Sequence, residues 1–240
     1  MASSTPSALC AYCGQAGADE EDHVVARQFF PPEERYRGNL PKVPSHGHCN
    51  RQKQRVEDGP AVLFQFGDDG EASRSILTRR VPNTLAKNRR LHASLREGLQ
   101  EVLVRLPSGL VVPALGITLS SRELADSYAW FQLVTRGLYY FEFGVPLAAD
   151  HTVHLVRPIH EGHNIFIDLI RTDRQYRTRA FADGEFQYAV ANNAGEGVSL
   201  WFYAFKSINM LAFALPPNCP SDLRSGIGAI EWPAPGRNSQ

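Results

Sequence analysis

The clearest periodic pattern of apolar residues lies between residues 121 and 143. Apolar side chains recur there every three or four positions, at Leu124, Tyr128, Phe131, Val134, Leu138 and Phe141. Ser120 and Glu123 have the spacing of a capping box before this run, and Gly144 stands just after it. The pattern predicts a helix over 121–143. Its aromatic stripe could stack on bases, but this spacing is more typical of a helix face buried in the core.

From residue 151 onward the pattern changes to short segments rich in β-branched and aromatic residues, which are typical of strands. These segments are TVHLV, NIFIDLI, EFQYAVA, SLWFYAF and NMLAFAL, and turn sequences such as ADG and NNAGEG separate some of them. They predict an antiparallel sheet packed on the 121–143 helix. Before that helix, the pattern predicts another helix over 83–99, capped by Asn83 or Thr84 because Pro82 precedes it.

The spacing of turn residues suggests how the chain is divided. EDGP at 57–60 marks a break, and residues after 216 are rich in Pro, Ser and Gly. We therefore predict an α+β protein with a small module over 1–58, a larger α+β domain over 59–216 and a loose tail over 217–240.

Composition limits the possible functions only slightly. The chain has 240 residues, 43% hydrophobic and 21% charged, and a formal net charge of +0. A nucleic-acid partner would therefore have to be inferred from a local basic patch. The N-terminus lacks the basic and apolar regions of a secretory signal, and the apolar runs are too short or too interrupted to cross a bilayer. We expect a cytoplasmic protein with no membrane segment.

The cysteines point to a metal. Cys10, Cys13, Cys49 and Cys219 are too few and too unevenly spread for a secreted disulfide framework. Redox chemistry is disfavoured because no strand of a βαβ unit precedes the Cys10 pair. His46 has the same x-x spacing to Cys49 as Cys10 has to Cys13, which completes a Cys3His set.

Zinc favours such a tetrahedral donor set in structural sites. Zinc-linked folding, worth about 10–16 kcal/mol in finger peptides, would hold the long loop between the two pairs. His48 is the rival fourth ligand, but it adjoins Cys49, and adjacent residues rarely reach one tetrahedral ion without strain.

The loop between the metal pairs contains residues suited to phosphodiester hydrolysis, which needs a base and a cation. His23 titrates near neutrality and suits the role of base, while Asp22 and Asn50 offer oxygens to Mg²⁺ or Mn²⁺. Asn39 could accept the imidazole N–H of His23, through its side chain or its backbone carbonyl, and so fix the tautomer. Lys53, at i+3 from Asn50, could contact the phosphate. Each residue alone would more often be an ordinary surface, turn or hydrogen-bonded residue, but their order between the two pairs favours a nuclease site.

Residues 9–55 resemble the zinc-containing HNH endonucleases, which have the ββα-metal fold. The matching positions are Cys10-x-x-Cys13, Asp22-His23-Val24, Asn39-Leu40, His46-x-x-Cys49, Asn50 and Lys53. The sequence departs from the family at His46, where a cysteine is usual, although zinc accepts either residue. The resemblance implies that His23 is the general base, that Asp22 and Asn50 hold the catalytic cation, that Asn39 orients His23, and that Lys53 contacts phosphate.

A basic segment follows this module. Residues 74–96 contain seven arginines and lysines and no acidic residue. We expect contacts to DNA backbone phosphates from Arg51, beside the predicted site, and from Arg79, Arg80, Lys87 and Arg90. A solvated helix face is the alternative interpretation of such charges.

These features favour a metal-dependent HNH endonuclease that acts on DNA, with structural zinc and catalytic Mg²⁺ or Mn²⁺. RNA as the substrate and a homodimeric state both stay open. The alternative is a zinc-stabilised protein that binds nucleic acid or senses a ligand without catalysis.

Overall fold

The structure, a computed structural model, describes residues 8–219 apart from 67, 69, 107, 158–175 and 194–196. Its helices are α1 (Glu34–Arg37), α2 (Gly47–Leu63), α3 (Glu71–Arg79), α4 (Val81–Lys87), α5 (Arg89–Gly98) and α6 (Ser121–Phe143). Its strands are β1 (Glu20–His23), β2 (Lys42–Ser45), β3 (Leu99–Arg105), β4 (Val111–Ile117), β5 (Thr152–Val156), β6 (Arg177–Phe181), β7 (Phe186–Asn193), β8 (Val198–Phe205) and β9 (Ile208–Leu215). Antiparallel sheets and helices thus confirm the predicted α+β class.

The predicted 121–143 helix is confirmed as α6. Ser120 and Glu123 form the capping box, and Gly144 ends the helix with a φ of 71°, a left-handed conformation that glycine adopts at little cost. Phe131, Val134 and Leu138 are buried, and Leu124 and Tyr128 are half-buried, so the stripe faces the core along most of its length. Phe141 is the exception, because 39% of it is exposed.

Among the described residues, the main sheet has five antiparallel strands in the order β5-β9-β8-β7-β6. Four predicted strands are confirmed as β5, β7, β8 and β9, while NIFIDLI lies outside the described residues. β6 was not predicted, because its sequence RTRAF is mostly exposed and lacks an apolar pattern. One face of the sheet packs on α6, where Thr135 and the hydroxyl of Tyr203 are hydrogen-bonded at 2.8 Å.

The predicted helix over 83–99 is wrong in its boundaries. α4 ends at Lys87, and Asn88 has the non-helical angles φ −100° and ψ 74°. The Asn88 side chain accepts the N–H of Leu91 at 3.1 Å, so this residue, and neither Asn83 nor Thr84, caps the following helix α5. The α5 helix ends at Gly98, and the β3–β4 ribbon that follows was not predicted.

The predicted boundary at residue 58 falls inside α2, which continues through Gly59 and Pro60 to Leu63. One hydrophobic core spans both predicted parts. Within it, the Phe29 ring stacks on Trp130 of α6 at 4.6 Å between centroids and meets Phe205 of β8 edge-on at 5.5 Å. Since Phe29 belongs to the first part and the other two rings to the second, the described chain shows no break between two cores.

The ends of the described chain bear on two further expectations. Cys219, in the predicted tail, is buried against the face of the sheet opposite α6, with Val156, Phe202 and Leu211, and the tail beyond it lies outside the described residues. Within the described ranges, no helix combines the length and the apolar character that a membrane crossing requires.

Candidate metal centre and adjoining cleft

The first cysteine pair lies on a tight turn. The N–H of Gly14 donates to the Cys10 carbonyl at 2.9 Å, and the N–H of Cys10 donates to the Gln15 carbonyl at 2.8 Å. Gly14 has a φ of 76°, which places it in the left-handed region that glycine favours. The turn brings the two side chains Cys10 and Cys13 to one side of the backbone.

The second pair is carried by the start of α2. His46 is the N-cap of this helix, and Cys49 lies in its first turn. The intervening chain returns to the first pair through the β1–β2 hairpin, where the N–H of Ala11 donates to the Pro44 carbonyl at 2.9 Å. Asp19 also fixes the helix start, because its carboxylate accepts the N–H of Gly47 at 3.0 Å. This order of two strands and a helix is the one predicted for the module.

The side chains of Cys10, Cys13, His46 and Cys49 converge, and their ligand atoms all lie within 4.8 Å of one another. Nε2 of His46 lies 3.2 Å from the Ala16 carbonyl, an acceptor that places the imidazole proton on Nε2. Its Nδ1, 3.4 Å from Sγ of Cys13, is then free to bind a cation. The cluster can therefore hold a metal ion, and its Cys3His donor set matches the preference of zinc.

His48 lies beside the cluster. Its ring stacks on that of His46 with centroids 5.0 Å apart, and its Nε2 lies 3.3 Å from Sγ of Cys49. The group of converging metal-ligand side chains contains His46 and not His48. This agrees with the prediction made from the adjacency of His48 to Cys49.

The thiols of the cluster differ in acidity. Burial raises the pKa of Cys10, but hydrogen bonds from nearby backbone N–H groups outweigh burial and lower it to about 7. Burial and the charge of Cys10 raise the pKa of Cys49 to about 12. Three thiolates at this spacing repel one another, and a bound divalent cation would relieve that repulsion.

A cleft of about 650 Å³ adjoins the metal cluster, between the end of β1 and the outer side of α2. It is lined by Asp22, His23, Ala26, Arg27, Gln28, Arg51, Gln54, Arg55, Glu57 and Asp58. Arg27, Arg51 and Arg55 are exposed on its walls. These three guanidinium groups suit the cleft to an anionic ligand, although the carboxylates of Asp22, Glu57 and Asp58 also line it and reduce its positive charge.

His23 is the titratable base in this cleft. Burial lowers its pKa from the usual value of 6.5, and the charges of Arg27 and Lys42 lower it further. Its Nδ1 is buried and has no hydrogen-bond partner among the described residues. The imidazole is therefore neutral at pH 7 and can accept a proton.

Asp22 and Lys53 belong to a buried ionic network behind the cleft. Oδ2 of Asp22 accepts the hydroxyl of Tyr12 at 2.5 Å and lies 2.9 Å from Nζ of Lys53. Nζ of Lys53 also lies 2.7 Å from Glu57 and donates to the His23 carbonyl at 2.8 Å. The network ties β1 to α2 directly beneath His23.

The predicted phosphate contact of Lys53 is therefore wrong for this structure. The Lys53 side chain is fully buried, because it lies on the inward face of α2, one turn before Glu57. Its three donors are directed to Asp22, Glu57 and the His23 carbonyl. Lys53 fixes the position of the site and does not reach its ligand.

Replacing Lys53 with methionine should destabilise the protein by about 3–5 kcal/mol, because the buried carboxylates of Asp22 and Glu57 would lose their counter-charge. Denaturant unfolding at neutral pH measures this change in the free energy of unfolding. The exposed Arg51 on the same helix supplies the control, since Arg51→Met should change stability by no more than about 0.5 kcal/mol. Equal, small effects of the two substitutions would contradict the structural role of Lys53.

Asn39 does not orient His23 in this structure. Its side chain is exposed, and Oδ1 accepts the N–H of Ala182 at 3.1 Å. Ala182 begins the short turn between β6 and β7 and has a φ of 53°. Asn39 therefore attaches the loop before β2 to the five-stranded sheet. The sequence did not predict this contact, because the two residues are 143 positions apart.

Asn50 is also engaged elsewhere. Its Nδ2 donates to Glu20 at 3.1 Å, and its Oδ1 accepts the amide of Gln54 at 3.1 Å. It is absent from the lining of the cleft that Asp22 and His23 share. The cleft therefore contains Asp22 and His23, whereas Asn50 lies outside its lining.

Among the described His, Cys, Asp and Glu side chains, no second metal-ligating group accompanies the Cys3His cluster.

The basic segment lies on three short helices. Arg79 ends α3, Lys87 ends α4, and Arg90 lies in the first turn of α5; these side chains and that of Arg80 are exposed. Arg80 lies between α3 and α4, where its guanidinium group is 3.4 Å from the Gln28 side chain, which lines the cleft. The basic surface is therefore continuous with the rim of the cleft at Arg80.

Arg27 and Arg55 were expected among the basic residues around the site, but a phosphate contact was predicted for Arg51 alone, and all three line the cleft. Tyr12 and Glu57, which hold the ionic network beneath the cleft, were not predicted. Only Glu57 carried a usable signal, because it lies four residues after Lys53 and such a pair shares one helix face.

Comparison of the chain with protein-family models, with curated proteins and with solved structures finds no significant match.

Proposed function

We propose that this protein is a metal-dependent endonuclease of the HNH type that hydrolyses phosphodiester bonds in DNA. The observation that carries the proposal is the neutral imidazole of His23 in a cleft lined by Arg27, Arg51 and Arg55. A base in a cleft that guanidinium groups also line suits attack of water on a phosphodiester, because the charge increases on the phosphate oxygens during that attack.

In this proposal His23 takes the proton of the attacking water, and the three arginines bind the phosphates on either side of the scissile bond. Lys53 holds the backbone of His23 in place through its contact with the carbonyl. A zinc ion held by Cys10, Cys13, His46 and Cys49 would be structural, because these four side chains would fill every position of a tetrahedral site.

A catalytic Mg²⁺ or Mn²⁺ would be held by hard oxygen ligands. Among the described residues, both contacts of the Asp22 carboxylate use Oδ2, so Oδ1 could bind a cation. Asn50, which lies outside the cleft lining in this structure, would offer a second oxygen only if the cation replaced its contact with Gln54. When bound, the cation would neutralise the charge that develops on the phosphate and on the leaving oxygen.

The second candidate function is a zinc-stabilised module that binds nucleic acid without cutting it. The ion pair between Asp22 and the buried Lys53 favours this alternative, because it already satisfies the carboxylate. Nothing specific in the described residues favours a ligand-sensing role.

Cleavage of supercoiled plasmid with and without added Mg²⁺ or Mn²⁺ separates the two functions. The proposed nuclease converts the plasmid to nicked or linear forms only when the cation is present, and His23→Ala suppresses the conversion. Binding of the plasmid without any cleavage would overturn the proposal and favour the alternative. A labelled RNA in the same assay establishes whether the substrate is DNA alone.

Replacement of Arg79, Arg80 and Arg90 with glutamate should weaken DNA binding and reduce its dependence on salt. Each lost phosphate contact should lower the slope of log affinity against log salt by about 0.9. Fluorescence anisotropy with a labelled duplex over a salt series measures both effects. Arg157→Glu, an exposed charge at the end of β5, is the control and should leave the slope unchanged. An unaltered slope in the triple variant would show that the basic surface is only solvated.

A further inference from the structure

The β3–β4 ribbon carries an unusual amount of exposed apolar surface. Within the part of the chain that the structure describes, it is a two-stranded sheet that is not joined to the five-stranded one. Seven large apolar side chains are exposed on it and on its turn: Leu99, Leu103, Val104, Leu106, Leu110, Val111 and Leu115. Leu103 and Leu115 are each 75% exposed. Because a two-stranded ribbon is marginally stable alone and apolar patches of this kind mark contact surfaces, the ribbon is a candidate interface.

The hydrogen bonds of the ribbon show which backbone groups point outward. The N–H of Leu106 donates to the Leu110 carbonyl, and the N–H of Thr118 donates to the Gly98 carbonyl, both at 2.8 Å. Both pairs continue the β3–β4 register, in which Leu103 is opposite Pro113. Even-numbered residues of β3 therefore bond to β4, and the N–H and C=O groups of its odd-numbered residues face away from β4. No described strand lies on that side of β3.

The two outer edges of the ribbon differ in their ability to pair. β4 has Pro113 near its middle, which lacks an N–H, so an added strand would lose a hydrogen bond there. β3 has no proline from Leu99 to Arg105 and presents a regular row of donors and acceptors. The open edge is therefore that of β3, and such an edge is a template for a further strand.

The charges along the open edge select the partner. Glu101 and Arg105 lie two residues on either side of Leu103, so the three side chains point to the same face. An antiparallel strand of the same sequence, centred on Leu103, places Glu101 opposite Arg105 of the second copy. The two-fold axis repeats the same contact with the roles exchanged, so the edge is complementary to itself.

We propose that β3 pairs with β3 of a second copy of this chain, antiparallel about a two-fold axis at Leu103, to form a continuous four-stranded sheet. The outward N–H and C=O groups of Leu103 bond to those of its counterpart at the axis. Leu99, Leu103 and Leu115 lie on one apolar face that the two copies share. This dimer does not depend on the proposed nuclease activity.

Sedimentation equilibrium of the full chain over a concentration series tests the dimer. The wild type should dimerise, whereas Glu101→Arg and Arg105→Glu should each raise the dimer dissociation constant by about tenfold or more. In each variant two cross-strand pairs change from attraction to repulsion. Circular dichroism of each variant checks that these exposed substitutions leave the fold intact.

A mixture of the two single variants tests the register. One copy then carries two arginines and the other two glutamates at positions 101 and 105, so the mixed dimer regains attraction at both contacts. Labelled Glu101→Arg should bind Arg105→Glu at least as tightly as the wild type binds itself. A wild type that stays monomeric, single variants that dimerise like the wild type, or a mixture that fails to associate would each overturn the proposal.

Discussion

A variant with both Cys10 and Cys13 replaced by alanine should lose its zinc and unfold at neutral pH. Structural zinc contributes about 10–16 kcal/mol to the folding of finger peptides, whereas whole domains are stable by only about 5–15 kcal/mol. Loss of the ion also removes the cross-link between the Cys10 turn and the start of α2, which the long β1–β2 loop separates. Metal analysis after extensive dialysis should find about one zinc per wild-type chain and none in the variant, and circular dichroism should show the loss of structure.

Cys219→Ala provides the matched control, because Cys219 is also a buried cysteine but lies on the far face of the main sheet. This variant should keep its zinc and its fold. Retention of zinc by the double variant, or its absence from the wild type, would show that the Cys3His cluster is not a zinc site.

The His23→Ala variant should lose plasmid cleavage by about 10²–10⁴-fold, the usual contribution of a general base. Zinc content and DNA affinity should be unchanged, because His23 contributes neither a ligand to the Cys3His cluster nor a charge at neutral pH. Single-turnover cleavage of supercoiled plasmid in Mg²⁺ or Mn²⁺ provides the rate. Arg122→Ala, an exposed substitution at the start of α6, is the control and should cut at the wild-type rate.

The pH dependence of cleavage gives a second measure of the same group. Because burial and the charges of Arg27 and Lys42 lower the pKa of His23, its base form is gained as pH rises through a value below 6.5. The wild-type rate should therefore rise in weakly acidic solution and level off by neutrality. A His23→Ala protein that cuts at the wild-type rate would show that Asp22 and His23 are part of the scaffold and not of the chemistry.

The elements that sequence predicted best are those whose pattern is fixed by local geometry. α6 has a regular apolar period with a cap at each end, and the strands of the main sheet are dense in β-branched and aromatic residues. β3 and β4 escaped prediction because a ribbon with little core beneath it has no alternation of apolar and polar positions. The break at residue 58 was inferred from Gly59 and Pro60, but packing keeps both inside α2.

The residues of the candidate site also differ in how well the sequence predicts their positions. The converging Cys3His side chains were predictable because each pair lies on one short turn, where spacing alone fixes direction. The burial of Lys53 was not predictable from the sequence. The buried face of α2 is determined by β1 and α6, which pack against that helix. Asn39 meets Ala182 across 143 positions of sequence, a contact that only the complete fold reveals.

Because α2 crosses the predicted boundary at residue 58, it limits which segments of this protein can be exchanged by recombination. Its first turn carries Cys49, its middle carries Lys53, and Phe64 at its end joins the aromatic core beside Trp130. Transplanting residues 8–58 onto another scaffold would cut the helix and leave the inward side of its hairpin uncovered. Recombination that preserved the site would therefore have to transfer α6 and the main sheet together with it. Substitutions that leave the fold intact without such a transfer are confined to exposed positions, such as the cleft arginines and the helices of the basic segment.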